Sequence, residues 1–264
     1  MIRQGALTAA PPHWRLQSLS SAARVVDCTA EWRDRIQELM TGSCKPQFIG
    51  QGRDNLGLTH KGYRVVRVSR IENPLLWKRY VLQREAVVAN LPAGSQKHAR
   101  VNVESWRSWQ KRELAQHTAA NEAFFFHGTK PDIAECIKRV GFDERVCSLG
   151  GMFGAGVYLA ENSSKSDEYC VPNGNGSCFM FVVRAAIGTP HRTLEDMNDL
   201  RRPPCLQGHT EIKGQYCIDH PRADSVFAPT TSTHPGACLK RYREFIVYDG
   251  AQSYPEFLIE FKRV

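Results

Sequence analysis

The sequence predicts an α+β fold with antiparallel β-sheet. Apolar stretches of strand length concentrate in the second half of the chain, in AFFFHG (123–128), CFMFVVRAAIG (178–188), REFIVYD (243–249) and FLIEFKRV (257–264). Helical patterns fall between them without a regular alternation of strand and helix, which argues against a doubly wound parallel sheet. The chain has 264 residues, of which 42% are hydrophobic, enough to form one main domain with its own core.

The first half of the chain is predicted to hold one strand and several helices. YRVVRVSRIEN (63–73) alternates apolar and basic residues, as a half-buried strand does. NPLLWKRYVLQREAVVAN (73–90) begins with an asparagine cap and a proline at the first helical position, so we expect an amphipathic helix. Further helices are predicted over DCTAEWRDRIQELMTG (27–42, ending at Gly42), NVESWRSWQKRELAQH (102–117) and KPDIAECIKRVGF (130–142).

The charge of the chain favours anionic partners without identifying one. The formal net charge is +8, which is compatible with a nucleotide, a nucleic acid or an acidic protein. The basic residues are scattered, however, with no run of five and no nucleic-acid-binding motif, so nucleic-acid binding is not predicted. No stretch approaches 18 uninterrupted apolar residues, so no membrane span is predicted.

Residues 1–27 are predicted to be a disordered leader ahead of a main domain at 28–264. The first 26 residues contain arginine and serine but no acidic residue. That composition has a weak similarity to an organelle transit peptide, but we interpret it as a plain leader.

The cysteines indicate an intracellular protein with reduced thiols, in the nucleus or the cytoplasm. There are nine of them, an odd number, and no two are spaced as a CxxC pair. Four possible metal ligands, Cys205, His209, Cys217 and His220, lie within sixteen residues, with gaps of three, seven and two residues. These gaps match no compact zinc finger, and a metal site is not predicted.

A glycine-rich stretch, GGMFGAG (150–156), is the first candidate for ligand binding. Its four glycines, Gly150, Gly151, Gly154 and Gly156, let the backbone approach a ligand and point amide hydrogens at a phosphate or a planar amide. The order differs from GxGxxG and no obvious strand precedes it, so a Rossmann dehydrogenase is disfavoured.

Four side chains outside the glycine-rich stretch are further candidates for a functional site. His127 lies at the end of an apolar strand, Tyr158 and Tyr169 follow the glycines, and Glu244 is an acid in an otherwise apolar strand. Each also has an ordinary explanation as a core histidine, a packed tyrosine or an outward-facing glutamate.

Taken together, these motifs resemble one family. HGT (127–129), GMFGAGVYLAENSSKSDEYC (151–170), and REFIVYD followed by AQSYPEFLIEFK (251–262) are similar to the catalytic domain of the poly(ADP-ribose) polymerases. Within this family the motifs are most similar to those of the tankyrase branch, and the shared stretches include GFDER (141–145). The resemblance covers residues 28–264 and implies the ADP-ribosyltransferase fold, in which split antiparallel β-sheets carry short flanking helices. It also implies an NAD⁺ protein ADP-ribosyltransferase.

The resemblance implies how NAD⁺, the substrate, would be held. The nicotinamide ring would lie between Tyr158 and Tyr169, and its carboxamide would bind the backbone of Gly128 and the hydroxyl of Ser166. Lys165 would lie in the same pocket, toward the pyrophosphate. Stacking on tyrosines suits a flat ring that becomes the leaving group.

The catalytic triad that the resemblance implies is His127, Tyr158 and Glu244. His127 would bind the adenosine ribose, and Glu244 would bind the 2′-hydroxyl of the nicotinamide ribose and stabilise the oxocarbenium charge. A glutamate there permits chain growth, so we predict poly- or oligo-ADP-ribosylation of protein acceptors, including the chain itself. The alternatives are transfer of a single unit and a non-catalytic module that binds NAD⁺ or ADP-ribose.

Two segments depart from the tankyrase pattern. Tankyrases carry a zinc-binding insertion after the second tyrosine, where this chain has only CVPNGNGSC (170–178), so no metal cofactor is expected. The segment between Cys217 and Cys238 is longer than the tankyrase connection. It borders the acceptor side in the family, which leaves the choice of acceptor open.

Overall fold

The computed structural model describes residues 9–52, 57–91, 103, 117–207, 209 and 217–264. The strands in these residues are β1 (Arg24–Asp27), β2 (Tyr63–Glu72), β3 (Glu122–Thr129), β4 (Val157–Leu159), β5 (Cys178–Ala186), β6 (Pro190–Arg192), β7 (Ser225–Ala228), β8 (Glu244–Val247) and β9 (Ser253–Arg263). The α-helices are α1 (Thr29–Ser43), α2 (Pro74–Ala89), α3 (Pro131–Val140) and α4 (Ser163–Asp167). No helix among the described residues is both long and apolar enough to cross a lipid bilayer.

The strands form two sheets. The larger has the order β1-β2-β9-β5-β3, and the smaller has the order β4-β8-β7-β6. Every pair is antiparallel except β6 and β7, which are parallel. The predicted α+β fold with split antiparallel sheets is therefore confirmed.

The two sheets meet where β3 passes the end of β4. The amide of Phe126 donates to the carbonyl of Ala160 at 2.7 Å, and the amide of Ala160 donates back at 3.0 Å. This junction sets the last residues of β3 beside the smaller sheet, and the candidate site lies there.

The most regular sequence patterns form the predicted elements. The alternating stretch at 63–73 is β2, and the capped stretch at 73–90 is α2, whose Asn73 side chain accepts from the Leu76 amide at 3.2 Å. The sequence predicted that the first helix ends at Gly42, but α1 continues by one residue to Ser43. A Cβ at Gly42 would meet nothing within 4 Å, so the glycine lies inside the helix without a steric demand. The helix predicted at 102–117 falls almost entirely outside the described residues.

The predicted disordered leader is wrong for residues 9–27. Trp14, Leu16 and Leu19 are buried, and the Trp14 ring lies 5.8 Å from that of Trp77 and 5.9 Å from that of Tyr254. β1 adds an antiparallel edge strand to the larger sheet. This segment therefore belongs to the folded unit, and burial of its indole ring is the physical reason.

A network of buried charges ties four distant segments together. The Arg184 guanidinium contacts Glu122 at 2.6 Å and Glu256 at 2.9 Å, and His13 Nε2 lies 2.5 Å from Glu256. Burial alone raises the pKa of Glu256, but Arg184 and His13 outweigh it and lower that pKa to about 2. Glu256 therefore remains ionised inside the protein, on β9 between β2 and β5.

Candidate active site

His127 lies near the end of β3 and has a defined tautomer. Its Nδ1 is 2.9 Å from the carbonyl oxygen of Tyr158. Because a carbonyl only accepts, Nδ1 carries the proton and Nε2 is left as an acceptor. Burial lowers the pKa of His127, although the bond to Tyr158 opposes this, so the imidazole is neutral at pH 7. A neutral Nε2 is suited to accept a hydrogen bond from a hydroxyl group.

Gly128 is a position that only glycine fits. A Cβ there would lie 1.8 Å from the carbonyl oxygen of Ser166 and 2.8 Å from the sulfur of Cys170. The missing side chain therefore lets the backbone of β3 pack directly against α4 and the turn that follows it.

The backbone of Gly128 also has a useful direction. The N–H and C=O of Phe126 both face away from β5, toward Ala160. Backbone groups repeat their direction every two residues along a strand, so both groups of Gly128 face the same edge. This edge offers a donor and an acceptor side by side, the complement of a primary amide.

Tyr158 holds the glycine-rich loop in place. Its hydroxyl donates to the carbonyl of Gly154 at 3.0 Å and accepts from the amide of Phe153 at 2.8 Å. A Cβ at Gly151 would lie only 2.3 Å from that hydroxyl oxygen, so the loop closes on the tyrosine only with glycine there. Burial raises the pKa of Tyr158, which keeps the phenol protonated for these bonds.

The short helix α4 is held by the end of α1. The Asn162 side chain donates to the carbonyl of Ser43 at 2.9 Å, and the Ser163 hydroxyl donates to that of Met40 at 2.7 Å. A five-residue helix is too short to be stable alone, so these bonds fix where Lys165 and its neighbours lie.

Lys165 connects three side chains. Its ammonium lies 3.2 Å from a carboxylate oxygen of Glu244, 3.0 Å from one of Glu168 and 3.0 Å from the hydroxyl of Tyr169. Burial by itself lowers the pKa of Lys165. Glu244, Tyr169 and Glu168 outweigh this effect and raise the pKa above its usual value, so the ammonium stays charged. Glu244, the first residue of β8, is 7% exposed, whereas Tyr169 is 41% exposed.

The structure brings all the predicted site residues into one group, which we call the site cluster: His127, Gly128, Tyr158, Lys165, Ser166, Tyr169 and Glu244. Direct contacts or adjacent positions in the chain connect every member to the rest. Tyr158 lies opposite Ile246 in the smaller sheet, two residues from Glu244. The roles of the individual residues stay predictions.

The sequence analysis missed two sets of charges beside the cluster. Glu168 is buried next to Lys165, and Arg243, adjacent to Glu244, makes two bonds of 2.6 Å to Glu161. Around Arg243, the sequence shows only that a charged residue flanks the apolar strand β8. Arg243 and Glu161 are 82 residues apart, so no local pattern pairs them.

Comparison with known proteins identifies the family. The family described as the poly(ADP-ribose) polymerase catalytic domain matches residues 51–263. The chain is 27% identical over 212 residues to the mouse (Mus musculus) protein mono-ADP-ribosyltransferase PARP10, and 25% identical over 200 residues to mouse protein mono-ADP-ribosyltransferase PARP12. These alignments cover 79% and 75% of this chain but only 17% and 22% of the relatives.

A third relative is a tankyrase, from the branch of the family that the sequence motifs resemble. The poly [ADP-ribose] polymerase tankyrase of Caenorhabditis elegans is 38% identical over 78 residues, which is 28% of this chain and 3% of that protein. The chain thus spans a small part of the curated relatives it matches. The family match covers most of its length, however, and the chain belongs to the poly(ADP-ribose) polymerase catalytic domain family, whose enzymes use NAD⁺ as substrate.

Proposed function

We propose that this chain transfers ADP-ribose from NAD⁺ to protein side chains. The observation that carries the proposal is the site cluster. In a chain of this family, a buried carboxylate, a neutral histidine acceptor and an amide-binding strand edge converge. A module that only bound NAD⁺ would not need the carboxylate of Glu244.

The nicotinamide end of NAD⁺ fits the edge of β3. A carboxamide has one acceptor oxygen and an NH₂ donor, and the Gly128 backbone presents one donor and one acceptor on the same edge. The exposed ring of Tyr169 offers a flat surface, its hydroxyl is held by Lys165, and its backbone amide donates to the Ser166 carbonyl that packs on Gly128. A ring fixed in this way can stack on the nicotinamide with little loss of side-chain freedom.

Glu244 supplies the negative charge that the reaction needs. When the bond between ribose C1′ and the nicotinamide nitrogen breaks, its electron pair goes to the nicotinamide and positive charge develops on the ribose. A carboxylate bound to the ribose 2′-hydroxyl stabilises that charge most in the transition state. The acceptor nucleophile then bonds to C1′ and loses its proton. Lys165, 3.2 Å away, fixes the orientation of the carboxylate.

Stacking on Tyr169 predicts a matched pair of variants. Replacing Tyr169 with alanine is expected to weaken inhibition by benzamide by about 1–2 kcal/mol, or roughly 5- to 30-fold. Replacing it with phenylalanine keeps the ring and loses only the bond to Lys165, so inhibition should stay within about threefold of wild type. Inhibition constants measured against NAD⁺ test this, and equal losses in both variants would contradict stacking.

The test of the proposed function uses NAD⁺ labelled in the adenylate phosphate. The purified chain, with and without candidate acceptor proteins, is expected to place label on protein in a reaction that benzamide blocks. Release of labelled ADP-ribose without any label on protein would refute transfer to protein. If the chain binds NAD⁺ without turnover, it is a binding module.

Chain elongation is a second candidate outcome, which Glu244 favours. A carboxylate at that position can polarise the hydroxyl of an attached ADP-ribose and make it the next nucleophile. The relatives that cover most of this chain are named mono-ADP-ribosyltransferases, which favours transfer of a single unit. Products detached from the protein and sized on a sequencing gel decide between them. We expect a ladder if Glu244 acts on the acceptor hydroxyl, whereas one band at every time and NAD⁺ concentration means single transfer.

A further inference from the structure

Two cysteines and two histidines meet in the connection between β6 and β7. One ligand atom from each of Cys205, His209, Cys217 and His220 lies within 4.8 Å of those of the other three. None of the four belongs to the site cluster. Their gaps of three, seven and two residues match no compact zinc finger, so the spacing alone predicted no metal site.

The backbone explains how these gaps still produce a cluster. Cys205 forms an antiparallel bridge with Arg222, flanked by bonds from the Leu206 amide to Pro221 and from the Ala223 amide to Pro204. This short ladder sets Cys205 beside the segment that ends the connection, where His220 lies.

A backbone hydrogen bond holds His209 beside Cys205. The amide of Cys205 donates to the carbonyl of His209 at 3.2 Å, and Cys205 is 4% exposed. The polypeptide therefore holds a thiol and two imidazoles near one another, and Cys217 completes the group.

Two sulfur–nitrogen distances in the group match a tetrahedral ion. The sulfur of Cys217 is 3.5 Å from Nδ1 of His209 and 3.3 Å from Nδ1 of His220. Zinc–sulfur and zinc–nitrogen bonds of about 2.3 and 2.1 Å at the tetrahedral angle give a sulfur–nitrogen edge of about 3.6 Å. Thiol–imidazole hydrogen bonds also explain these two distances, but they do not explain why a second thiol converges on the same point.

The chemistry of the four groups selects the ion. Two thiolates and two neutral imidazoles neutralise a divalent cation, and this ligand set with tetrahedral geometry is typical of zinc. Four protein ligands leave no open position, so the ion would be structural and would not be a cofactor of transfer. Binding would release the two thiol protons to solvent and change no oxidation state.

We propose that Cys205, His209, Cys217 and His220 bind one Zn²⁺ ion that closes the β6–β7 connection. This site differs in position from the zinc-binding insertion of tankyrases, which follows the second tyrosine and is replaced in this chain by residues 170–178. The connection leads into β7, where Ala228 pairs with Glu244 of β8. The ion would therefore fix the segment that runs into the strand beside the catalytic carboxylate, and it would stabilise the fold whether or not the proposed transfer occurs.

The experiment measures zinc in the full chain, purified without a histidine tag. The wild-type protein, after removal of metal, addition of Zn²⁺ and gel filtration, is expected to retain about one zinc ion per chain by elemental analysis. Cys205→Ser and His209→Ala should each retain less than about a tenth of that, because three ligands hold zinc far more weakly. Cys238→Ser, a partly buried cysteine outside the cluster, is the matched control and should retain the full amount.

A spectroscopic readout separates loss of the site from loss of the fold. Co²⁺ added to the metal-free wild type should give the visible bands of a tetrahedral thiolate site, and Zn²⁺ should abolish them. His209→Ala should shift or lose these bands while its circular dichroism in the presence of excess Zn²⁺ shows a folded chain. A wild type that keeps no zinc, or Cys205→Ser and His209→Ala variants that each keep one ion, would overturn the proposal.

Discussion

Replacing Glu244 with glutamine is expected to lower ADP-ribose transfer by about 10²- to 10³-fold and to leave the affinity for NAD⁺ nearly unchanged. Glutamine has the same shape and still accepts a hydrogen bond, but it has no charge to stabilise the oxocarbenium ion. The Lys165 ammonium keeps contacts at 3.0 Å with Glu168 and Tyr169, so the pocket should retain its shape. Single-turnover transfer of labelled ADP-ribose and calorimetric titration with NAD⁺ measure the two quantities separately.

Glu135→Gln is the control for this change. Glu135 lies on α3, its side chain is 66% exposed, and its ion-pair partner within the described part of the chain is Lys138. The same chemical change there should leave transfer at the wild-type rate. If Glu244→Gln also transferred at that rate, Glu244 would not be the catalytic carboxylate. If the variant lost NAD⁺ binding as well as turnover, the residue would act in binding.

Replacing Trp14 with alanine is expected to lower the free energy of unfolding by about 3–5 kcal/mol, a large share of the stability of a typical domain. The ring is 2% exposed and packs against Trp77 and Tyr254, so its removal leaves a cavity that these rigid neighbours cannot fill. Urea denaturation at pH 7, followed by far-ultraviolet circular dichroism, gives the difference.

Arg15→Ala is the control for Trp14→Ala, because it changes an exposed side chain in the same segment. The Arg15 side chain is exposed, and the bond from its backbone amide to Glu72 at 2.8 Å does not depend on it. The expected change is within about 0.5 kcal/mol. A disordered leader would make both substitutions neutral, so equal stabilities of the two variants would contradict the packing of residues 9–27.

The sequence predicted the elements that are long enough to show a clear pattern of apolar and polar residues. A ten-residue strand pattern makes β2, although its last five residues are all buried and do not alternate, and sixteen residues with a proline start and an asparagine cap make α2. β4, β6 and β7 have only three or four residues each and carry no such signal. β1 and the buried Trp14 were missed because three apolar side chains at irregular spacing do not reveal what covers them.

The candidate site was predicted mainly by resemblance. Local motifs named His127, Tyr158 and Glu244, but no spacing indicated that Lys165 would join Glu244 to Tyr169. Nor could the sequence show why position 128 excludes a side chain, since the obstacle, Ser166, is on another element. Contacts between distant segments depend on the whole topology, which is also why the sequence did not show that two cysteines and two histidines of the β6–β7 connection lie together.

The buried network of His13, Glu122, Arg184 and Glu256 bears on the cooperativity of the molecule. An ion left without its partner in a dry interior costs several kcal/mol, so the strands that carry Glu122, Arg184 and Glu256 are coupled. β3, β5 and β9 should consequently unfold as one unit. Since β3 carries both Glu122 and His127, local opening that exposed the first residues would dismantle the site in the same event.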